Sequence, residues 1–339
     1  MVTSTNPAVS VTSRAAPPIT REMGLHWLEQ MMLIRRFEEA AEYAYTQKKI
    51  GGFLHLYIGE ESIAVGAVAA MQPDDDIFTH YRDHGWVLAR GVDPKPSMAE
   101  LYGKATGLVK GKGGSMHFAS VEHHMWGGYA IVGGHIPLAA GMAFSHQYLK
   151  RDRIAFCVMG EGATNIGMFH EALNMAALWK LPAVFLVENN QYGMGTAVER
   201  ASAVANIYEK ATAYHMPATQ IDGNDIELVY NTIFEFADRA RRGEGPQLVE
   251  AMTYRFRGHS MGDPQRYRAK EEVAQWEKRD PIVQFIDRLA REGLVTDVEI
   301  AAMERDVANE VAWSVEEAEQ GPWEPVEDLE KDVYTPTDS

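Results

Sequence analysis

Glu161 stands between two glycines in the stretch GEGATN (160–165), and 29 residues later the run VENN ends in two adjacent amides, Asn189 and Asn190. With the carbonyls of the turn around Tyr192, these groups are oxygen donors only. Hard oxygen ligands suit magnesium or calcium, and magnesium commonly completes its octahedron with water and substrate phosphate. Gly160 and Gly162, just ahead of a helix start, add backbone amides that phosphate oxygens can use. The chemistry of this set is that of a metal-bridged diphosphate site. Taken singly, Glu161 reads more simply as a helix cap and the asparagines as an Asx turn; their joint placement favours the site.

That placement rests on the elements around it. An apolar run at 153–159, a helical pattern at about 166–180, Pro182 and a second apolar run at 183–188 read as one strand–helix–strand unit, whose usual length is about 30 residues. A right-handed crossover sets both strand carboxyl ends on one sheet edge, where open α/β sheets bind ligands. A later strand is expected at 248–256, after the helical run DIELVYNTIFEFADRARR. Short apolar runs without alternation, separated by helices, indicate strands buried on both faces. The expected fold is α/β, a doubly wound parallel sheet sandwiched by helices, with a helical C-terminal extension.

Upstream, residues 19–49 and 61–71 have helical periodicity, the first stopped by Gly51 and Gly52. A glycine-dense stretch from Gly103 to Gly141 reads as site-forming loops. The expected partition is a flexible tail at 1–18, the α/β domain at 19–268, the helical extension at 269–319 and an acidic tail at 320–339.

Composition narrows the function. A chain of 339 residues, 46% hydrophobic, buries a substantial core, and its net charge of −16 argues against non-specific nucleic-acid binding. Any anion site therefore needs local positive charge, which Arg255, Arg257, Arg266 and Arg268 supply in one segment, although Arg255 and Arg257 could equally share a solvated face. No apolar segment is long enough for a membrane span or signal peptide, so a cytoplasmic protein is expected. Cys157, the single cysteine, lies in the apolar run RIAFCVM and reads as a buried strand residue. A nicotinamide-binding fold is the rival reading, but GEGATN lacks the third glycine of the dinucleotide fingerprint, and no phosphate-loop motif occurs.

The words KGKGGSMHF, GEGATN, EALNMAALWKLP, ENNQYGMGT and YRFRGHSMGDP, in this order over roughly residues 20–320, resemble the α subunits of thiamin-diphosphate-dependent 2-oxoacid dehydrogenase E1 components, those of the pyruvate enzymes above all. The resemblance implies thiamin diphosphate and Mg2+ as cofactors. It implies that Glu161, Asn190 and the Tyr192 carbonyl ligate the metal, that Gly162 and Ala163 contact the diphosphate, and that Tyr81 and Arg82 hold its phosphates. By the same resemblance Ala130 and Val132 line the cofactor, His55 lies near the substrate, His259 is the active-site histidine on a mobile loop that orders with cofactor, and Ser260 occupies a position phosphorylated in mitochondrial relatives. A second such position falls near Gln265 and Arg266, which cannot be phosphorylated.

One departure bears on substrate: pyruvate enzymes usually carry aspartate where this chain has Glu161, as branched-chain enzymes do not. The added methylene lengthens the reach by about 1.5 Å, which a rotamer change absorbs. Pyruvate is the expected substrate, with branched-chain 2-oxoacids or acetoin as alternatives; a diphosphate-binding scaffold without chemistry is the non-enzyme reading. The family activates its cofactor with a glutamate on a second domain for which this chain has no room. The resemblance therefore implies an E1 β subunit in an α2β2 assembly and the lipoyl domain of E2 as acceptor. Met116, Phe118, Met125 and Trp126 are candidates for the β-subunit contact, if they are not core.

Overall fold

Thr20 opens the first helix by accepting the Met23 amide on its hydroxyl, and α1 (Arg21–Thr46) then buries Trp27, Leu28, Met31, Ile34 and Phe37 at helical spacing. The computed structural model describes residues 14–331 and 333–334, so most of the expected N-terminal tail and the last residues of the acidic tail lie outside the described residues. After α1 follow α2 (Glu61–Ala70), β1 (Asp76–His80), α3 (His84–Ala89), α4 (Pro94–Leu101), β2 (Met125–Tyr129), α5 (Ile136–Tyr148), β3 (Ala155–Gly160), α6 (Gly167–Trp179) and β4 (Ala183–Asn189). A two-stranded ribbon, β5 (Tyr192–Gly193) and β6 (Thr196–Ala197), leads to α7 (Val198–Ala201), β7 (Ala218–Asp222), α8 (Ile226–Arg241) and β8 (Gln247–Met252). The chain ends in α9 (Lys270–Glu277), α10 (Pro281–Arg291) and α11 (Asp297–Gln320), the last started by a capping box between Thr296 and Glu299.

The six long strands form one parallel sheet in the order β2-β1-β3-β4-β8-β7. Strand alternation divides the core in two. Phe156, Val158, Val184, Leu186, Val249 and Ala251 face the layer built on α1, α2, α3, α8 and α10. Ala155, Cys157, Met159, Phe185, Val187 and Leu248 face α5, α6 and the turn Ile207–Tyr214. Helices on both faces of a parallel sheet are the doubly wound α/β arrangement. Cys157 is fully buried on the second face, and burial pushes its thiol pKa up. Among the described residues, no helix is long and apolar enough to cross a membrane.

Several elements correct the sequence reading. The glycine-dense stretch contains β2, and its HIPLAAGMAF segment is not loop but the first turns of α5, started by Pro137. The strand expected at 248–256 leaves the sheet after Met252. Phe118 and Met125, offered as partner contacts, are fully buried, and Phe118 packs 4.9 Å from the His84 ring. Trp126 is half-buried with its indole N–H on Asp76 at 2.5 Å, and Met116 is half-buried.

Close approach fixes one bend beside the sheet edge. Gly59 has φ +104°, and a Cβ there would lie 2.5 Å from the Tyr254 carbonyl oxygen. Gly51 has neither constraint: its Cβ would meet nothing within 4 Å. Gly59→Ala is expected to lower unfolding free energy by about 1–3 kcal/mol, whereas Gly51→Ala stays within about 0.5 kcal/mol; urea denaturation of both variants checks the pair.

Candidate active site

The chain leaves β1 for β2 at the sheet edge and returns on the other side of β1 as β3, so the strand order reverses between β1 and β3. Crevices at such reversals, outside the strand carboxyl ends, are where open α/β sheets hold ligands. A cavity of about 240 Å³ lies there. Of the residues singled out from sequence, Tyr81, Arg82, Val132, Glu161, Gly162, Ala163, Asn190, Tyr192 and His259 line it, as does Arg255. His55 stands just outside, against Tyr81 and His259. Ala130 and Ser260 are not part of the lining.

At one end of the cavity two oxygens aim at one cation. Nη1 of Arg255 donates to Asn190 Oδ1 at 2.8 Å and to the Tyr192 carbonyl at 2.6 Å. Asn190 is oriented by its own amide N–H, which donates to Glu60 Oε1 at 3.1 Å and leaves Oδ1 toward the guanidinium. Glu161 follows β3 in a tight turn held by the Thr164 hydroxyl on the Glu161 carbonyl, 2.7 Å. Its Oε1 is buried and has no hydrogen-bond partner among the described residues. Burial raises the Glu161 pKa to about 7, opposed by Arg255. A desolvated carboxylate oxygen beside an amide and a carbonyl that already hold a cationic group is a donor set for a hard cation. Among the described residues no group of three or more His, Cys, Asp or Glu is placed to hold a metal.

Backbone support for this end comes from α9. The hydroxyls of Tyr192 and Tyr254 both donate to Glu272, at 3.0 and 2.9 Å. Arg268 spans the same segment, with Nη1 on the Arg255 carbonyl and Nη2 on that of Arg257, 2.7 and 2.6 Å. Arg255 and Arg257 do not share a solvated face: Arg255 is buried, and Arg257 pairs with Glu42 at 3.0 Å.

The other end is a group of rings. His55, Tyr81 and His259 have centroids 4.6, 5.3 and 5.7 Å apart in pairs. Arg82 fixes their backbones, donating to the Leu56 carbonyl at 2.7 Å and the His259 carbonyl at 2.9 Å. The His259 loop is further held by Asp263, which accepts the His259 amide and the Tyr267 hydroxyl, both at 2.7 Å. Burial, then the nearby Arg82, lowers the pKa of His55 to about 2 and of His259 to about 3. Both imidazoles are neutral near pH 7, able to donate one hydrogen bond and accept another. Sequence reasoning missed His80, His135, Gly193 and Met194, which line the cavity only because three separate loops converge.

The cavity at the switch point of this sheet has buried oxygen donors and Arg255 at one end and neutral histidines at the other. The Dehydrogenase E1 component family model matches residues 29–327, and the chain belongs to that family. The α subunit of the pyruvate dehydrogenase E1 component of Rhizobium meliloti is 44% identical over 315 residues, 93% of this chain and 90% of that protein. The corresponding subunit of Zymomonas mobilis is 43% identical over 94% of this chain and 92% of its own length. The α subunit of acetoin:2,6-dichlorophenolindophenol oxidoreductase of Bacillus subtilis is 42% identical over 96% of this chain and 98% of that protein.

The neutral histidines set a pH dependence. In the unfolded chain they titrate near the ordinary value of about 6.5, whereas folding holds His55, His80 and His259 at about 2, 3 and 3. Below pH 6.5 or so the unfolded state binds more protons, so this contribution to stability is present at neutral pH and is lost on acidification. Burial raises the carboxyl pKa of Glu60, Glu161 and Glu188 to about 7, which acts in the opposite direction over the same range. The histidine contribution is therefore read as a difference: from pH 7.5 to 5.5 the urea midpoint of the wild type is expected to fall relative to that of His259→Asn.

Proposed function

We propose that this chain is the α subunit of a pyruvate dehydrogenase E1 component, holding thiamin diphosphate by its diphosphate end through magnesium. The observation that carries the reading is the convergence of Glu161, Asn190 Oδ1 and the Tyr192 carbonyl at one end of a cavity whose other end holds His259. Gly162, Ala163, Tyr81 and Arg82 would face the diphosphate, with Arg82 and Arg255 offsetting its charge in a chain of net charge −16. Val132, and Ala130 beside it, would flank the cofactor. Thiamin diphosphate bound here would supply the electron sink for decarboxylation of a 2-oxoacid.

The chain's own residues then do three things. Tyr81, packed on the buried His55 and followed by the buried Arg82, would keep water from the reacting end. Neutral His259 and His55 present hydrogen-bond donors to substrate oxygens without competing as cations; an anionic ligand beside them raises their pKa toward the range of general acids. The His259 loop, tied down by Asp263 and Arg82, places its histidine in the cavity wall, from which it would meet an entering acceptor group. Ser260, next in the chain, is half-buried.

The reading requires a partner for the reactive end of the cofactor. Leu138, Phe144 and Tyr148 on α5 and Met175, Leu178 and Trp179 on α6 are exposed together, with Phe144 5.6 Å from Trp179. This face continues through exposed Ile131 and Val132 to the cavity, and apolar patches of this kind mark protein contacts. We assign it to the E1 β subunit in an α2β2 assembly, with the E2 lipoyl domain approaching the His259 loop and the whole complex cytoplasmic. Acetoin is the second reading, favoured by the 42% identity to the acetoin enzyme's subunit.

Three measurements test the proposal. Thiamin diphosphate with Mg2+ is expected to raise the melting temperature of the chain assembled with its β subunit, whereas stabilisation by NAD alone would overturn the assignment. Lipoyl-domain acylation should proceed with pyruvate in preference to 3-methyl-2-oxobutanoate or acetoin. Glu161→Gln should weaken Mn2+ binding at least about tenfold, the effect of replacing a charged donor by a neutral one, with the circular dichroism spectrum unchanged.

A further inference from the structure

Glu188, the carboxylate directly ahead of the two asparagines, faces neither solvent nor the cavity, and its role is not explained by metal or diphosphate binding. On β4 the side chains alternate, so Glu188 is on the face of Val184 and Leu186 while Asn189 turns to the other, where its amide donates to Glu250 at 2.7 Å; Asn190 follows directly after the strand. Glu188 receives donors on both oxygens. The Tyr57 hydroxyl and the Trp86 indole N–H, at 3.1 Å, reach Oε1, and His80 Nε2 lies 2.7 Å from Oε2.

His80 carries this contact to the cavity. Its Nδ1 accepts the backbone N–H of Arg82 at 3.0 Å, so in the neutral ring the proton resides on Nε2 and is donated to Glu188. One tautomer satisfies both bonds. The bond from β4 to His80 spans β3, whose in-register residue is Gly160. Beyond His80 come Tyr81, in the cavity wall, and Arg82, whose guanidinium holds the carbonyls of Leu56 and His259.

We propose that Glu188 is a positioning residue: through His80 it fixes the backbone of Tyr81 and Arg82, and through Arg82 it holds the His259 loop against the cavity. The inference rests on the proposed reading in that Tyr81, Arg82 and His259 face the cofactor. One strand end thereby sets two things at once, the amide on the metal side and the groups on the opposite wall.

Glu188→Gln tests the chain of contacts. Trp86 is a donor only, so the new amide keeps its oxygen there and turns its NH2 toward His80. His80 can accept that NH2 only in the tautomer that sets its own Nδ1–H against the Arg82 N–H. Hydrogen exchange of the 255–268 backbone, measured on the full-length chain without cofactor, should quicken roughly tenfold, the equivalent of one strong hydrogen bond. Glu250→Gln is the control, because Glu250 is equally buried and hydrogen-bonded but lies on the other strand face; it should leave that segment unchanged. His80→Gln, which can still donate to Glu188 but has no acceptor at the Nδ1 position, its oxygen being on the same terminal carbon as the donating NH2, should match Glu188→Gln and decides the matter if the latter does not fold.

Unchanged exchange in Glu188→Gln or His80→Gln, or equal acceleration in Glu250→Gln, would overturn the proposal. In the assembled enzyme the affinity for thiamin diphosphate should fall in the same two variants. Failure of the wild-type enzyme to bind thiamin diphosphate would sink the functional reading, while the exchange result, obtained without cofactor, would still decide the positioning role.

Discussion

Buried negative charge is the constraint on which this molecule's carboxyl edge depends. Glu60, Glu161 and Glu188 are each almost wholly out of water, and burial raises the pKa of each to about 7. Isolated carboxylates are costly in such a setting, and each is tolerable only with donors or cations aimed at it. Arg82 and Arg255 are those cations, and their arrangement explains why the loops after β1, β4 and β8 meet at one place. The same desolvation keeps the histidines neutral. Carboxyl groups with raised pKa values and rings held neutral as hydrogen-bond donors are two results of one low-dielectric region.

Much of the fold was legible because the central strands are buried on both faces and therefore read as plain apolar runs. Ala155–Gly160 and Ala183–Asn189, with α6 between them, fall within a residue or two of their expected places. The edges were harder. Ala218–Asp222 is only half-buried and has a mixed sequence, and Met125–Tyr129 is rich in glycine, so neither carries an apolar signature. In α5, glycines masked a helix whose inner face is mostly alanine packed close to the sheet.

The candidate site divides in the same way. Glu161 and Asn190 were readable because one local unit places both at its ends. Tyr81, Arg82 and His259 were found by resemblance to a family, since no spacing relates them; only the sheet reversal between β1 and β3 brings them together. His80 and Glu272 were missed for a different reason. Each acts by holding another residue's backbone or hydroxyl, and a sequence carries no signal for a hydrogen bond across 80 or more positions.

The order of strands has a consequence for how the protein comes into being. β7 joins the sheet only through β8, and β8 is also the strand that leads into Arg255 and His259. A chain emerging from the ribosome can pair β1, β2, β3 and β4 as they appear, but β7 has no neighbour until β8 arrives to lie between it and β4. Until then the exposed edge of β4 offers unpaired backbone groups, an invitation to faulty association. The cavity therefore closes late in synthesis, after β8 has arrived, and the nascent protein spends that interval with the β4 edge open.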